Sequence, residues 1–430
     1  MQSYGVFLSH YLTHKTFSNT SPLAYAFIGG LSISQALVIA PLATRAVHSY
    51  GTRVCLHLGV FFETLSLIGA SFADQKYQII LSQGICFGWG MGFLFVGSVG
   101  IIAQWFTKKR SLANAVAAAG SGFGGLTYSL ATQRMIDTLG LPWAFRTLGI
   151  VSCFVNLICS NLLRDRNTAV GARHKAFNIQ LLKRPEFVLL QGWSILSMLG
   201  YTALLFSLPN YAASIGLSAK QGSIIGALMN LGQMLGRPVM GLVSDRYGRI
   251  NVAFSLSLLC SIFCFAFWIP ANGMGLLSFF AIVGGALSGT FWATIAPVGA
   301  EIVGLKDLPA ALSITWVVMV PPTTVAEPLA LELRKEGSTQ VYIDAQIFIA
   351  MMYLGGALCL WIVRGWKVGQ LEELERYLEA RGVDETDIRD TEKKVQEGIP
   401  TSNPLEVERL RKTGWSLKDL VRRMLARKVV

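Results

Sequence analysis

A charged side chain is expensive in the middle of a long apolar stretch, so one that persists there marks chemistry. In the stretch 221 to 243, Asn230, Gln233 and Arg237 stand at i, i+3 and i+7 and share one helix face. A guanidinium in that setting offers a planar, permanently charged fork that suits a carboxylate, which is what an organic-anion site needs. The alternative is an arginine that serves only as structural partner to a buried acid. Glu327, between Pro322 and Pro328, lies where prolines free backbone carbonyls. It is either a proton-responsive carboxyl raised by burial or an arginine's ion-pair partner. Glu63 reads as an interhelix contact. Trp89, Tyr201, Asn210, Tyr211 and Trp292 bring aromatic and polar groups into other apolar stretches, either as cavity lining or as interfacial anchors.

These residues sit in a chain whose composition admits few settings. Of its 430 residues, 52% are hydrophobic and 14% charged, too little polar surface to cover a water-soluble globule. The net charge of +12 is concentrated at one end, with 15 of the 37 Lys and Arg in residues 364 to 430. Basic residues bordering apolar spans point to lipid headgroups and exclude a nucleic-acid partner as the simpler account. The seven cysteines lie inside apolar segments without metal-ligand spacing, so neither a metal site nor a disulfide frame is implied. No phosphate-binding GxxxxGK[ST] loop is present, no cofactor is implied, and no nucleophile, base and orienting group stand in register as an enzyme requires. Residues 1 to 12 lack the basic start and cleavage site of a signal peptide.

A hydrocarbon core about 30 Å thick takes roughly 20 apolar residues per helix. Eleven such spans are expected, at 22 to 46, 54 to 73, 78 to 105, 111 to 133, 142 to 163, 186 to 211, 221 to 243, 251 to 270, 275 to 300, 309 to 331 and 342 to 363. An apolar stub, Tyr4 to Leu12, precedes them and is too short to span, as though the chain begins inside a helix. The loops on one side hold 14 basic residues and those on the other hold seven, which places the former side and the C-terminal tail in the cytoplasm of a multi-pass protein, with the plasma membrane the expected location. The long basic linker divides the chain into a first lobe, 1 to 163; a linker, 164 to 185; a second lobe, 186 to 363; and a charged tail, 364 to 430.

Each lobe carries a similar loop between its second and third helices. The first has Tyr50-Gly51-Thr52-Arg53, and the second has Gly241, Asp245, Arg246, Gly248 and Arg249 in a Gly-x-x-x-Asp-Arg-x-Gly-Arg run. An internal repeat of six helices is the sequence signature of two lobes that rock about a midplane site. With these motifs the chain resembles the major facilitator superfamily. The segment from Trp105 to Gly124, an aromatic pair, the basic Lys108-Lys109-Arg110, Leu112-Ala113 and a small-residue helix through Ala119-Gly120-Ser121, is similar to the stretch that enters the fifth helix in the monocarboxylate transporter family. By itself that stretch is a packing and topology device. Glycines at four-residue spacing, Gly84/88/92, Gly120/124, Gly232/236 and Gly285/289, read as close helix crossings.

The resemblance implies an all-α fold of two pseudo-symmetric six-helix lobes with its first helix truncated. It implies alternating access for a small-molecule substrate within a lipid bilayer, and it assigns the loop motif to locking one conformer. In that family an Arg followed by Pro in the eighth helix contributes to substrate binding, and Arg237-Pro238 matches. Two coupling charges are absent, since Gln233 and Gln2 stand where an acid and a lysine are expected. Export of a larger metabolite is therefore expected on equal terms with monocarboxylate uptake, with proton coupling open and the oligomeric state unspecified. The alternative is a non-transporting receptor on the same scaffold. In the tail, Leu417, Leu420, Val421, Met424 and Leu425 with Lys418, Arg422, Arg423, Arg427 and Lys428 form a basic amphipathic helix, expected on the inner leaflet or the lobe surface.

Overall fold

Within hydrocarbon, every backbone N–H and C=O must find a partner in its own segment or in a closed barrel, so long apolar stretches resolve as helices. The computed structural model is helical accordingly. It describes residues 6–7, 10–11, 22–106, 108–167, 178–335, 340–380, 382, 387, 391 and 417–426, while the side chains at 22–26, 126, 129–130, 133, 219–220, 327 and 417–419 lie outside the description. The helices are α1 (Pro22–Val38), α2 (Ala40–Tyr50), α3 (Thr52–Ala70), α4 (Lys76–Trp105), α5 (Arg110–Leu139), α6 (Leu141–Leu162), α7 (Pro185–Ser214), α8 (Ala219–Tyr247), α9 (Arg249–Trp268), α10 (Met274–Val303), α11 (Leu308–Glu332), α12 (Ile343–Glu379) and α13 (Leu417–Leu425).

α1 and α2 are two halves of one span, bent by 40° at Ile39 next to Pro41. α10 breaks at Gly289 and α11 at Met319, just before Pro321 and Pro322. Among the described residues eight helices are long and apolar enough to cross a membrane, and the bent α1–α2 pair makes a ninth. The two remaining long helices, α5 and α8, are rich in Gly, Ser, Asn, Gln and Arg, and they pack along one another between the lobes. Their polarity is tolerated because each offers its polar face to the other instead of to lipid.

α1–α6 form one lobe, with α3 packed on α4 and α6 and α4 on α1; α7–α12 form the other, with α12 against α7 and α9 and α8 against α10. The α8–α10 crossing is reciprocal: a Cβ at Gly232 would run into the Ile282 carbonyl, and one at Gly285 into the Met229 carbonyl. Gly88 fits the same pattern, since its Cβ would lie 2.6 Å from Gln35 Cβ on α1. Gly120 departs from it. Nothing lies within 4 Å of a Cβ there, and at Gly124 the nearest atom belongs to Tyr128 of the same helix, so this pair makes no close crossing. Gly51 and Gly248 occupy matching turns in the two lobes, and both hold the left-handed backbone (φ 84° and 95°) that favours glycine.

The described part of the N-terminal stub packs into the first lobe. Phe7 stacks on Phe145 at 4.5 Å, and the buried Tyr11 donates its hydroxyl to Gln83 Oε1 at 3.1 Å. At the other terminus, the 37 residues of α12 reach about 55 Å at 1.5 Å per residue, well beyond a hydrocarbon core. The boundary at 363 therefore falls inside a continuous helix. α13 lies along that extension, with Leu420 and Met424 seated where Gly365 leaves room. Arg423, 1% exposed, pairs with Glu372 at 2.9 Å. Arg364 donates to the carbonyls of Arg423, Met424 and Ala426, closing the open end of α13, and to Asn251 on α9 at 2.6 Å. The amphipathic tail is thus docked on a helix of the second lobe, with Val421, Arg422 and Leu425 facing outward.

Candidate functional site

α8 starts with a capping box, in which Ser218 Oγ accepts from the Gln221 amide and Gln221 Oε1 accepts from the Ser218 amide at 2.8 Å. Two-thirds of the way along, its polar face turns into the gap between the lobes. Gln233 is wholly buried and Arg237 is 2% exposed. Arg237 Nη1 donates to the Ala118 carbonyl at 2.6 Å and to Ser121 Oγ at 2.7 Å, both on α5, so the side chain bridges the lobes. Its Nη2 donates to Gln233 Oε1 at 2.7 Å, an oxygen that also accepts from the Tyr201 hydroxyl at 3.0 Å. The break at Gly289 makes room for the guanidinium, since a Cβ there would sit 2.9 Å from Arg237 Nε.

Among the described residues no carboxylate pairs with Arg237. Its described acceptors are a peptide carbonyl, a hydroxyl and an amide. Around it, Arg237 Nε, Gln233 Nε2 and Asn230 Oδ1 are buried without a hydrogen-bond partner. Buried polar atoms are nearly always satisfied, and an uncompensated one costs about 1–3 kcal/mol, more when charged. Two of these atoms, Arg237 Nε and Gln233 Nε2, are donors, and free donors on a cation with no carboxylate partner among the described residues suit an anion that arrives from outside.

Ten residues separate Arg237 from the end of α8 at Tyr247, about 15 Å of helix. At that end the loop motif forms a latch. Asp245 Oδ1 and Oδ2 accept from the backbone amides of Ser111 and Leu112, each at 2.9 Å, in the first turn of α5. The carboxylate of one lobe thereby caps a helix N-terminus of the other, where free N–H groups and the helix dipole both favour negative charge. Gly241 allows the approach, because a Cβ there would come within 2.6 Å of Ala115 Cβ. Arg249 holds the other side of Asp245 at 3.7 Å and pairs with Glu301 at 3.0 Å. Lys367, from α12, donates to the Glu301 carbonyl at 3.0 Å. Arg246 turns away and lies over the Tyr247 ring.

The profile of the Major Facilitator Superfamily matches residues 2–319, nearly three-quarters of the chain. The chain belongs to that superfamily. Among similar proteins, the probable transporter MCH2 of Saccharomyces cerevisiae is 34% identical over 391 residues, 90% of this chain and 82% of that protein. The fujikurins efflux protein of Gibberella fujikuroi is 26% identical over 359 residues, 83% of this chain and 77% of its own. A solved structure of the proton:xylose symporter XylE superposes with a TM-score of 0.66 at 15% identity, covering 84% of this chain and 91% of that one. The last likeness shows the fold alone, and the first two are with transporters, so this chain is a membrane transporter and its class acts on small-molecule substrates.

In a superfamily fold with a midplane site, the expected site residues separate into groups. Gln233, Arg237 and Tyr201 come together at the lobe interface, Trp292 joins them through Tyr201 with ring centroids 6.5 Å apart, and Asn230 stands one turn before Gln233 on α8 with its Oδ1 buried and unpartnered. Trp89 lies elsewhere, in the first lobe, donating to Gln35 Oε1 at 3.1 Å and set edge-on against Phe62. Asn210 is exposed and bonds its own helix at Phe206. Tyr211 is packed against Trp268 and Tyr342 with its hydroxyl on the Ala271 carbonyl, inside the second lobe. Glu63 accepts from Asn156 at 2.7 Å, linking α3 to α6. The Glu327 side chain and Gln2 lie outside the described residues.

Several partners were not singled out from sequence. Ser121 and the Ala118 carbonyl sit in the stretch read as packing, and the Ser111 and Leu112 amides that receive Asp245 open the same stretch. The two family-like segments are thus the two halves of one latch. Trp316, Phe95 and Glu301 had no signal beyond an aromatic or a charge in or beside an apolar run, and Lys367 stood among the many basic residues of the charged tail.

Proposed function

We propose that the protein is a secondary transporter that carries a small organic anion by alternating access, with Arg237 as the principal contact to the anionic group. The observation that carries this reading is the interlobe guanidinium, buried and held by neutral acceptors, with unsatisfied polar atoms around it. Its fork suits a carboxylate arriving between the lobes, and exchanging the Ala118 and Ser121 contacts for substrate would loosen α5 from α8. Among the described residues Gln233, an amide, stands where a resident acid would neutralise the cation. A fungal monocarboxylate-type ancestry, a cytoplasmic latch end and tail, and a plasma-membrane location belong to the same reading, supported by the Trp105–Gly124 stretch and by the twofold bias of basic loop residues. Export of a metabolite is the direction that the fujikurins efflux relative supports, and uptake of a monocarboxylate remains the counterpart to test.

Counterflow of a labelled organic anion in vesicles reconstituted with the full chain tests the reading. Arg237→Lys keeps the charge but not the fork and should weaken apparent affinity about tenfold, and Arg237→Ala about a hundredfold. Unchanged transport in both variants refutes the anion site. Flux that does not vary between about pH 5 and 8, and is unaltered by Glu327→Gln, would exclude proton coupling through that carboxyl.

A further inference from the structure

The aromatic side chains beside Arg237 form a group that the anion reading leaves unused. Trp292 on α10 and Trp316 on α11 lie face to face, with centroids 6.1 Å apart and planes 13° from parallel. Phe95, from α4 of the opposite lobe, meets both edge-on, at 5.7 Å from Trp292 and 5.0 Å from Trp316. Tyr201 touches Trp292 with its ring and reaches Gln233 with its hydroxyl, so the group runs without interruption to the guanidinium. Depth agrees as well. Phe95, Arg237, Trp292 and Trp316 lie eight to eleven residues from the latch-side ends of their helices, about 12–17 Å, half the thickness of a hydrocarbon core.

Two features set this group apart from ordinary core packing. It draws on both lobes, whose faces must part in each cycle of alternating access, so its rings are uncovered periodically. Trp316 is also wholly buried, and its indole N–H has no acceptor. By contrast, the indoles of Trp193, Trp361, Trp105 and Trp89 all donate, and Trp268, whose buried indole N–H also lacks a partner, packs within the second lobe. A buried donor at a parting interface suits a substrate that brings its own acceptor.

Resting on the anion reading, we infer that the substrate is an aryl carboxylate or a comparably flat conjugated acid, with its acidic group at Arg237 and its planar body against Trp292 and Trp316. Ring faces accept flat π-systems by offset or edge-on stacking, which a short aliphatic acid cannot exploit. Trp292, half-buried and in contact with both Tyr201 and Trp316, is the specificity-determining residue.

The test is equilibrium binding to the full-length protein in nanodiscs, with 3-phenylpropanoate, propanoate and the neutral 3-phenylpropan-1-ol as probes. We expect 3-phenylpropanoate to bind at least about tenfold more tightly than propanoate. Trp292→Ala should reduce that ratio to within about threefold, whereas Trp292→Phe, which keeps a ring and the packing, should preserve most of it. Equal affinities for the two acids, both lost in Arg237→Gln, overturn the aryl subsite and leave the anion site standing. A preference for the aryl compounds that persists with the alcohol and in Arg237→Gln supports the aryl subsite and overturns the anion reading. No binding of either acid overturns both.

Discussion

Replacing Asp245 with Ala deletes the acceptor that joins the lobes at the latch end. Both carboxylate oxygens are in use, at 2.9 Å from the Ser111 and Leu112 amides. Hydrogen bonds to a charged group contribute about 1.5–3 kcal/mol each, and the two amides recover water once the lobes separate, so the closed state loses about 3 kcal/mol overall. At about 1.4 kcal/mol per factor of ten, the equilibrium between latched and open forms shifts roughly a hundredfold. A latched-to-open ratio of about 99:1 would become nearly even. Asp245→Asn retains the shape and one acceptor but turns an NH2 toward a backbone donor, and it should shift the ratio by about tenfold. Electron–electron distance measurements between spin labels at Lys108 and Tyr247, exposed on opposite sides of the latch, read this directly once the seven cysteines are replaced. We expect a second, longer distance to grow from the wild type through Asn to Ala. A distribution that is the same in all three means that the carboxylate caps α5 without holding the lobes together.

Two further outcomes follow from packing and from the tail. Gly232→Val and Gly285→Val each drive a side chain into a backbone carbonyl of the partner helix, so both should lower the melting temperature in detergent by several degrees, the effect of about 3 kcal/mol or more, whereas Gly120→Val, with open space around it, should not. Equal melting points for all three would show that the α8–α10 crossing yields without penalty. Arg423→Ala breaks a nearly buried ion pair with Glu372, and amide exchange over residues 417–425 should accelerate about tenfold. The exchanged pair Glu372→Arg/Arg423→Glu should restore protection, and unaltered exchange in Arg423→Ala would mean that the remaining contacts, among them those of Arg364, Trp361 and Arg422, suffice to hold α13.

The apolar spans and the repeated loop were legible because they follow from local rules. Twenty apolar residues fill a bilayer, and a helix is the only open solution for their backbone. The Asn230–Gln233–Arg237 face was legible for the same reason, as helical spacing puts i, i+3 and i+7 together whatever surrounds them. Residues whose role depends on another helix were harder to place. Trp89, Tyr211 and Trp292 look alike in sequence, each an aromatic in an apolar run, yet only Trp292 faces the other lobe, while the indole and the hydroxyl of the other two are spent on Gln35 and Ala271. The glycines show the same division, since Gly232 and Gly120 share a spacing pattern but only the first meets a neighbouring backbone.

The amino-acid order alone determined that this chain spans a membrane in two similar halves and that one helix carries a cation it cannot hide from its own interior. Hydropathy and helical period act along the chain and need no partner. What only the tertiary structure decided is who answers that charge. The approach of α5 to α8 gave Arg237 a carbonyl and a hydroxyl to donate to, and brought Asp245 to the helix start 134 residues away at Ser111. Charge and hydrogen-bond energies depend on distances of a few ångströms, and those are set by how helices far apart in sequence cross.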